Sequence, residues 1–197
     1  MFRLRRSSGE VLVGQEPVRR RDHAYRHATV VVATLLLPLA LVVTRGRRFR
    51  ERACEWAFRI RYPAESLAGL TPETRAAFVA ARCAALWHDA ELIGVTSGHR
   101  LFAEQEELFQ EAVTSYGSEP RAREWVLPPQ ESAHVQGIAV DVRPTEGARW
   151  LERHGDRFGL YRTYANEWWH FEYHPSYRAT GRRPPMRPTP GTLPARY

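Results

Sequence analysis

Lysine is absent from this 197-residue chain, so all 29 basic residues are arginine and no role here falls to an ε-amine. That bias fits a GC-rich genome better than it fits a function. Cysteine is nearly absent as well. Cys54 and Cys83 stand alone, which excludes a C-x-x-C metal or redox site. The two could pair outside a cell, yet Cys83 reads equally well as a small core residue on a helix. Spacing cannot supply the pairing geometry. No internal repeat is present, and this length leaves room for one ordinary domain with appendages. A hydrophobic fraction of 43% suffices for a packed core.

Acidic charge is scarce only at the two ends. Between Arg61 and Tyr173, 11 arginines face 17 acids; the flanks hold 18 arginines against 5 acids, and the whole carries +7. A nucleic-acid-binding domain carries its basic patch on the folded module itself. The distribution therefore excludes that partner and directs the basic flanks towards a membrane surface or an anionic wall polymer.

Only one long apolar run occurs, "ATVVVATLLLPLALVVT" from Ala28 to Thr44. Its 17 uncharged residues would span roughly 25 Å as a helix, near the lower limit for crossing a bilayer. No A-x-A cleavage site follows it, and "RGRRFRER" comes at once, so an uncleaved anchor is expected. The arginine count does not orient it. Four precede and six follow within fifteen residues; the whole N-terminus makes it seven against six. The expected organisation is a basic arm over 1–27, a transmembrane anchor over 28–44 and a basic linker over 45–60. A folded domain over 61–173 and a Pro/Arg-rich extended tail over 174–197 complete it.

Within the folded part, "LTPETRAAFVAARCAALWHDAEL" predicts a helix capped by Thr71, with Pro72 in its first turn. Val79, Cys83, Leu86 and Ala90 recur at helical spacing as its buried face. "VTSGHR" predicts a short strand entering a turn. A second helix is expected from Leu101 to Tyr116, with Leu101, Gln105, Leu108, Phe109, Ala112 and Tyr116 on one stripe and Gly117 as its stop. Residues 118–133 read as a loop, "IAVDV" as a strand, "TEGARWLERHGDRF" as a helix and "WWHFEY" as a final strand. Helices first and strands later indicate α+β, with helices packed on a small antiparallel sheet.

The chemistry gathers around two of these strands. Alternation puts Ile138, Val140 and Val142 on the core face and Asp141 on the other. Gly137 permits a turn that folds His134 back over that second face. Trp168, His170 and Glu172 share one side of the last strand; Trp169, Phe171 and Tyr173 take the core side. If the strands are neighbours, His134, Asp141 and His170 converge on one point. Two imidazoles and one carboxylate make a three-ligand zinc site with an open fourth position, the catalytic rather than the structural type. Zinc so held lowers the pKa of a bound water towards 7. Glu167, expected in the turn before the strand, is placed to act as the base. His88, His154 and His174 have no spacing to the site and read as surface or helix-end residues.

Ser132-x-His134-x-x-Gly137-x-Ala139-x-Asp141, followed by Glu167-x-x-His170, resembles the zinc D-alanyl-D-alanine carboxypeptidases of the VanY type. "TSGHR" before a helix resembles that family's S-G-Y-R element. The likeness runs from about Leu70 to Tyr173, and it implies a hedgehog/D,D-peptidase-like fold, related to D-Ala-D-Ala dipeptidases and lysostaphin-like metallopeptidases. By this resemblance His134, Asp141 and His170 ligate Zn2+ and Glu167 is the general base. Arg100 binds the substrate carboxylate or the tetrahedral oxyanion, while Gln105 and Ser132 line the substrate site. Three departures stand out: His99 where tyrosine is usual, Leu101 where serine is frequent, and "EWWH" for the commoner E-P-W-H. The last is reminiscent of the dipeptidases.

The implied function is removal of the terminal D-Ala from peptidoglycan stem peptides by a monomer anchored in a bacterial cell membrane, its domain outside. A D-Ala-D-Ala dipeptidase or a wall endopeptidase is the second reading. A non-catalytic wall-binding module on the same scaffold is the third, and Glu167 argues against it, since a binding module has no use for a base.

Overall fold

The computed structural model describes residues 20–44 and 48–192. In chain order the elements are α1 (Arg20–Leu35), α2 (Leu37–Val43), α3 (Phe49–Arg61), α4 (Pro72–Asp89), β1 (Gly94–Ser97), α5 (Phe102–Tyr116) and α6 (Glu119–Ala122). There follow β2 (Ala139–Arg143), α7 (Thr145–His154), β3 (Leu160–Arg162), β4 (His170–Tyr173) and α8 (Pro175–Thr180). Short 3-10 turns occupy Pro129–Glu131 and Gly155–Phe158. The four strands form one sheet in the order β1-β2-β4-β3, each neighbouring pair antiparallel.

One face of that sheet is the core. Val95, Val140, Val142 and Phe171 meet Phe78, Ala81 and Ala85 of α4 and Trp150 and Leu151 of α7. Thr71 caps α4 as its sequence indicates, its hydroxyl accepting from the Thr74 N–H. The stripe Val79, Cys83 and Leu86, however, faces α1 and α3 rather than the sheet. The helix has apolar residues on two sides because it is packed on two sides. Ala90 is not part of that face; it ends the helix in the left-handed region at φ 50°. On α5 the expected stripe narrows to Gln105, Phe109 and Ala112, while Leu101 and Leu108 are exposed.

Several boundaries differ from the sequence expectation. β3 was not foreseen, and Trp168 and Trp169 lie in the turn before β4, so Trp168 packs on the core instead of sharing a strand face with His170. The loop expected over 118–133 contains α6 and a 3-10 turn. Residues 45–60, expected as a basic linker, contain most of α3; Ala53, Cys54, Ala57 and Phe58 recur at helical spacing and are buried. Arg45 to Arg47 lie outside the described residues, as do the first 19 residues of the basic arm and the last five of the tail. The expected extended tail instead forms α8 and then returns along the domain, where Arg187 bridges Tyr164. No single described helix is long and apolar enough to cross a membrane; Ala24–Leu35 and Leu37–Val43, bent by 42° at their break, reach that length and apolarity only together.

A buried ion pair ties these layers together. Arg82 of α4 donates to Glu65 Oε2 (2.6 Å) and to the Ile93 carbonyl (2.8 Å), its guanidinium lying between the rings of Phe58 and Phe78. Glu65 Oε1 accepts from the Val95 N–H (2.6 Å), the first pleat of β1. Glu65→Ala would leave a buried guanidinium without its partner, and chemical denaturation should show a loss of about 3–5 kcal/mol. A loss below about 1 kcal/mol would mean that the pair does not hold β1 against α4.

Candidate metal centre

The other face of the sheet carries the polar residues, and strand register brings them together. Asp141 of β2 stands directly opposite His170 of β4, so both side chains project from that face. His134 arrives from the turn before β2. Gly137 makes that turn possible: its φ is +69°, and a Cβ there would lie 2.6 Å from the Gly69 carbonyl oxygen. The chain then re-enters the sheet at Ala139.

Asp141 Oδ1 lies 3.2 Å from His134 Nε2 and 3.0 Å from His170 Nδ1. One ligand atom from each residue falls within 4.8 Å of the others, and all three residues are buried. Donor atoms of a tetrahedral zinc with bonds of about 2.0–2.1 Å sit about 3.4 Å apart. The group fits that ion. The outer ring nitrogens reinforce the fit. His134 Nδ1 donates to the Gly98 carbonyl (2.6 Å) and His170 Nε2 donates to Glu172 Oε1 (3.1 Å). Each bond fixes a tautomer whose inner nitrogen is free to ligate.

The electrostatics follow from burial and neighbours. Burial would raise Asp141, but His134 and His170 outweigh it and hold the carboxyl well below its usual range. Burial pushes His134 down. His170 feels the same burial, yet Asp141 and Glu172 overcome it and hold the imidazole up. Glu167 sits in the turn before β4, with Oε2 3.8 Å from His170 Nδ1. Burial pushes it up to about 7, against the pull of His170.

Arg100 is held from three sides. Its Nε donates to Ser97 Oγ (3.0 Å), Nη1 to Gln105 Oε1 (3.1 Å) and Nη2 to Asp141 Oδ2 (3.1 Å). Gln105 was expected to line the substrate site. The structure places it behind Arg100, 2% exposed, with its amide nitrogen on the Leu127 carbonyl (2.7 Å). It can act on a ligand only through Arg100. Ser132 is buried at the end of a 3-10 turn, two residues before His134.

Four further residues belong to the site. Ser97 stands in the quoted "TSGHR", and Glu172 alternates with His170 on one strand face, so both had a signal. His174, expected at the surface, gives a second bond to Glu172 (Nε2 to Oε2, 2.8 Å). Arg187 comes from the tail. It donates to the Tyr164 hydroxyl (2.7 Å) and lies 4.0 Å from Glu172, while the Tyr164 ring stacks near His170 at 4.9 Å. No local pattern marks Arg187.

The model of the family described as VanY, D-alanyl-D-alanine carboxypeptidase, matches residues 68–176, more than half of the chain. The chain belongs to that family. A D-alanyl-D-alanine carboxypeptidase of Enterococcus faecalis V583 is 32% identical over 40% of this chain, and the chain spans about two-fifths (39%) of that relative's length. The crystal structure of a variant of the vancomycin-resistance D,D-pentapeptidase VanY with Zn(II) aligns at TM-score 0.51 and 26% identity, covering 60% of this chain and 84% of that one. VanYB in complex with D-alanine-D-alanine aligns at 0.50 and 25%, covering 57% and 78%. The LD-carboxypeptidase LdcB, at 20% identity and TM-score 0.50 over 57% and 65%, shares the fold.

Two outcomes test the centre. Metal analysis of the zinc-loaded chain should find about one zinc, and His134→Ala or His170→Ala should abolish it. Glu172→Gln should weaken zinc about 10- to 100-fold while the chain stays folded by circular dichroism, because the amide no longer holds the His170 tautomer as firmly. Unchanged affinity in that variant would remove Glu172 from the shell.

Proposed function

We propose that the chain is a zinc D,D-carboxypeptidase that removes the terminal D-Ala from peptidoglycan stem peptides. One observation carries the reading: a buried His134–Asp141–His170 group with Glu167 beside it and the Arg100 guanidinium adjoining it, in a member of the VanY family. A neighbour of the same fold is in complex with D-alanine-D-alanine, which supports a substrate ending in that dipeptide.

His134 Nε2, Asp141 Oδ1 and His170 Nδ1 would hold zinc, which supplies Lewis acidity that polarises a carbonyl and acidifies water. The chain's own residues do the rest. Glu167 takes the proton of the attacking water at its carboxylate and passes it to the departing amine of D-Ala. Its burial suits that task, since a carboxylate near neutrality both accepts and releases a proton. Arg100 keeps part of its guanidinium open to solvent while Ser97, Gln105 and Asp141 fix its plane. A planar fork held this way pairs with a C-terminal carboxylate or with the developing oxyanion. The proposed place of action is the outer face of the cytoplasmic membrane, where stem peptides are displayed. Protease added to intact spheroplasts should digest the domain; survival until permeabilisation would place it inside, with free D-Ala-D-Ala as the better substrate.

Mass spectrometry after incubation of the zinc-loaded chain with defined pentapeptide, tetrapeptide and free dipeptide should show loss of one D-Ala from the pentapeptide. Glu167→Gln should keep zinc and lose about 10²- to 10⁴-fold in turnover. The base must be ionised, so kcat/KM should fall as pH drops through an acid limb at or below about 7, the value to which burial, aided by Asp141 and Glu172, pushes Glu167. A cation beside it moves that limb lower. Cleavage of the dipeptide alone would favour the dipeptidase reading, which the "EWWH" stretch supports. Normal turnover in Glu167→Gln would remove the assigned base.

A further inference from the structure

We infer that α1 and α2 lie in the plane of an anionic lipid bilayer surface, with α3 beside them, and do not cross the bilayer. Three observations carry this.

The start of the apolar run is already occupied by protein. Arg26 pairs with Glu91 (2.9 Å) in the segment before β1, and the Arg61 guanidinium covers the Tyr25 ring at 4.2 Å. Thr29 and Ala33 are buried, and Ala33 shares a cluster with Phe58 of α3, Leu86 of α4 and Leu92. This part of α1 is docked on the folded domain and is closed to lipid on that side.

The remainder is too short to cross. Val31, Leu35, Leu39, Leu41, Val42 and Val43 form the exposed apolar face, with Leu35 74% and Val42 81% exposed. From Val31 to Val43 a helix covers about 20 Å, against about 30 Å of hydrocarbon. The 42° bend between the two helices shortens that reach further.

The neighbour is also wrong for a spanning helix. Ala40 of α2 is buried, and α2 packs along α3, at whose start Arg48, Arg50 and Arg52 are exposed, Arg50 over the Trp87 ring and Arg52 paired with Glu55 (3.6 Å). A spanning α2 would draw those guanidinium groups towards the hydrocarbon. Lying in the interface, the same pair sets its leucines and valines among the upper acyl chains and its arginines at the lipid phosphates. The uncharged face and the adjacent face, net basic with Arg48, Arg50 and Arg52 against Glu51 and Glu55, complement an anionic lipid surface; a second copy of this basic chain would bring like charges together.

The test uses the full chain with an N-terminal tag, added to preformed vesicles of phosphatidylcholine alone or mixed with phosphatidylglycerol. Sedimentation should recover at least tenfold more protein with the anionic vesicles, and raised salt should reduce it. Protease added outside should remove both the tag and the catalytic domain. Leu35→Glu combined with Val42→Glu should cut vesicle binding at least tenfold, and both positions are exposed enough to leave the fold intact. Hydrolysis of a soluble pentapeptide should be unchanged in that variant; failure of the carboxypeptidase reading would appear in that assay and not in vesicle binding. A tag protected inside the vesicles while the domain is digested would mean that the chain crosses, and would overturn the inference. So would equal recovery on neutral vesicles, or a dimer in lipid-free solution that the double variant dissolves.

Discussion

Asp141 is the residue on which the site depends. It is set by strand register opposite His170, reached by His134 across the Gly137 turn, and met from above by Arg100. One oxygen faces the two imidazoles and the other faces the guanidinium. A carboxylate so deep in a sheet is costly unless its charge is compensated. Here three cationic or ligating partners share the compensation, and each is fixed in turn by a bond behind it: Gly98 holds His134, Glu172 holds His170, and Ser97 with Gln105 holds Arg100. The outer layer is thus as much a part of the centre as the ligands.

The legible part of this arrangement lay where chemistry and periodicity coincide on a few residues. An aspartate interrupting "IAVDV", a glycine three residues after His134, and Glu167 three before His170 all have local causes, and the structure brings these residues to one point. What was not legible depends on distant packing. Gln105 sits on a helical stripe whether it faces a ligand or the back of Arg100; only the approach of Leu127 decides it. The amphipathic character of α3 was hidden by its arginines, since Ala53, Ala57 and Cys54 are small and weakly apolar beside the helix's four, Arg50, Arg52, Arg59 and Arg61. A proline-rich tail carries no sign that it will return to place Arg187 near Tyr164.

That return bears on where the domain ends. The family match stops at residue 176, yet Arg187 lies beyond it and approaches the carboxylate that orients His170. Backbone bonds hold the segment there: the Ala165 N–H donates to the Arg187 carbonyl, and the Arg187 N–H to the Thr163 carbonyl. These same bonds brace the turn that presents Glu167. The turn that carries Glu167 is therefore supported on one side by β4 and on the other by chain beyond the family match.

Charge links Glu167 to the candidate metal centre. Glu167, Asp141 and Glu172 crowd one buried face, and the like charge of Asp141 and Glu172 adds to burial in holding Glu167 up near 7. A divalent cation held by His134, Asp141 and His170 would act in the opposite direction, favouring the ionised form of the same carboxylate. Metal binding in turn needs His170 without the proton that Asp141 and Glu172 favour on its ring. Loading the centre and ionising Glu167 would thus be coupled: the cation would take the place of a proton on His170 and favour the carboxylate form of Glu167.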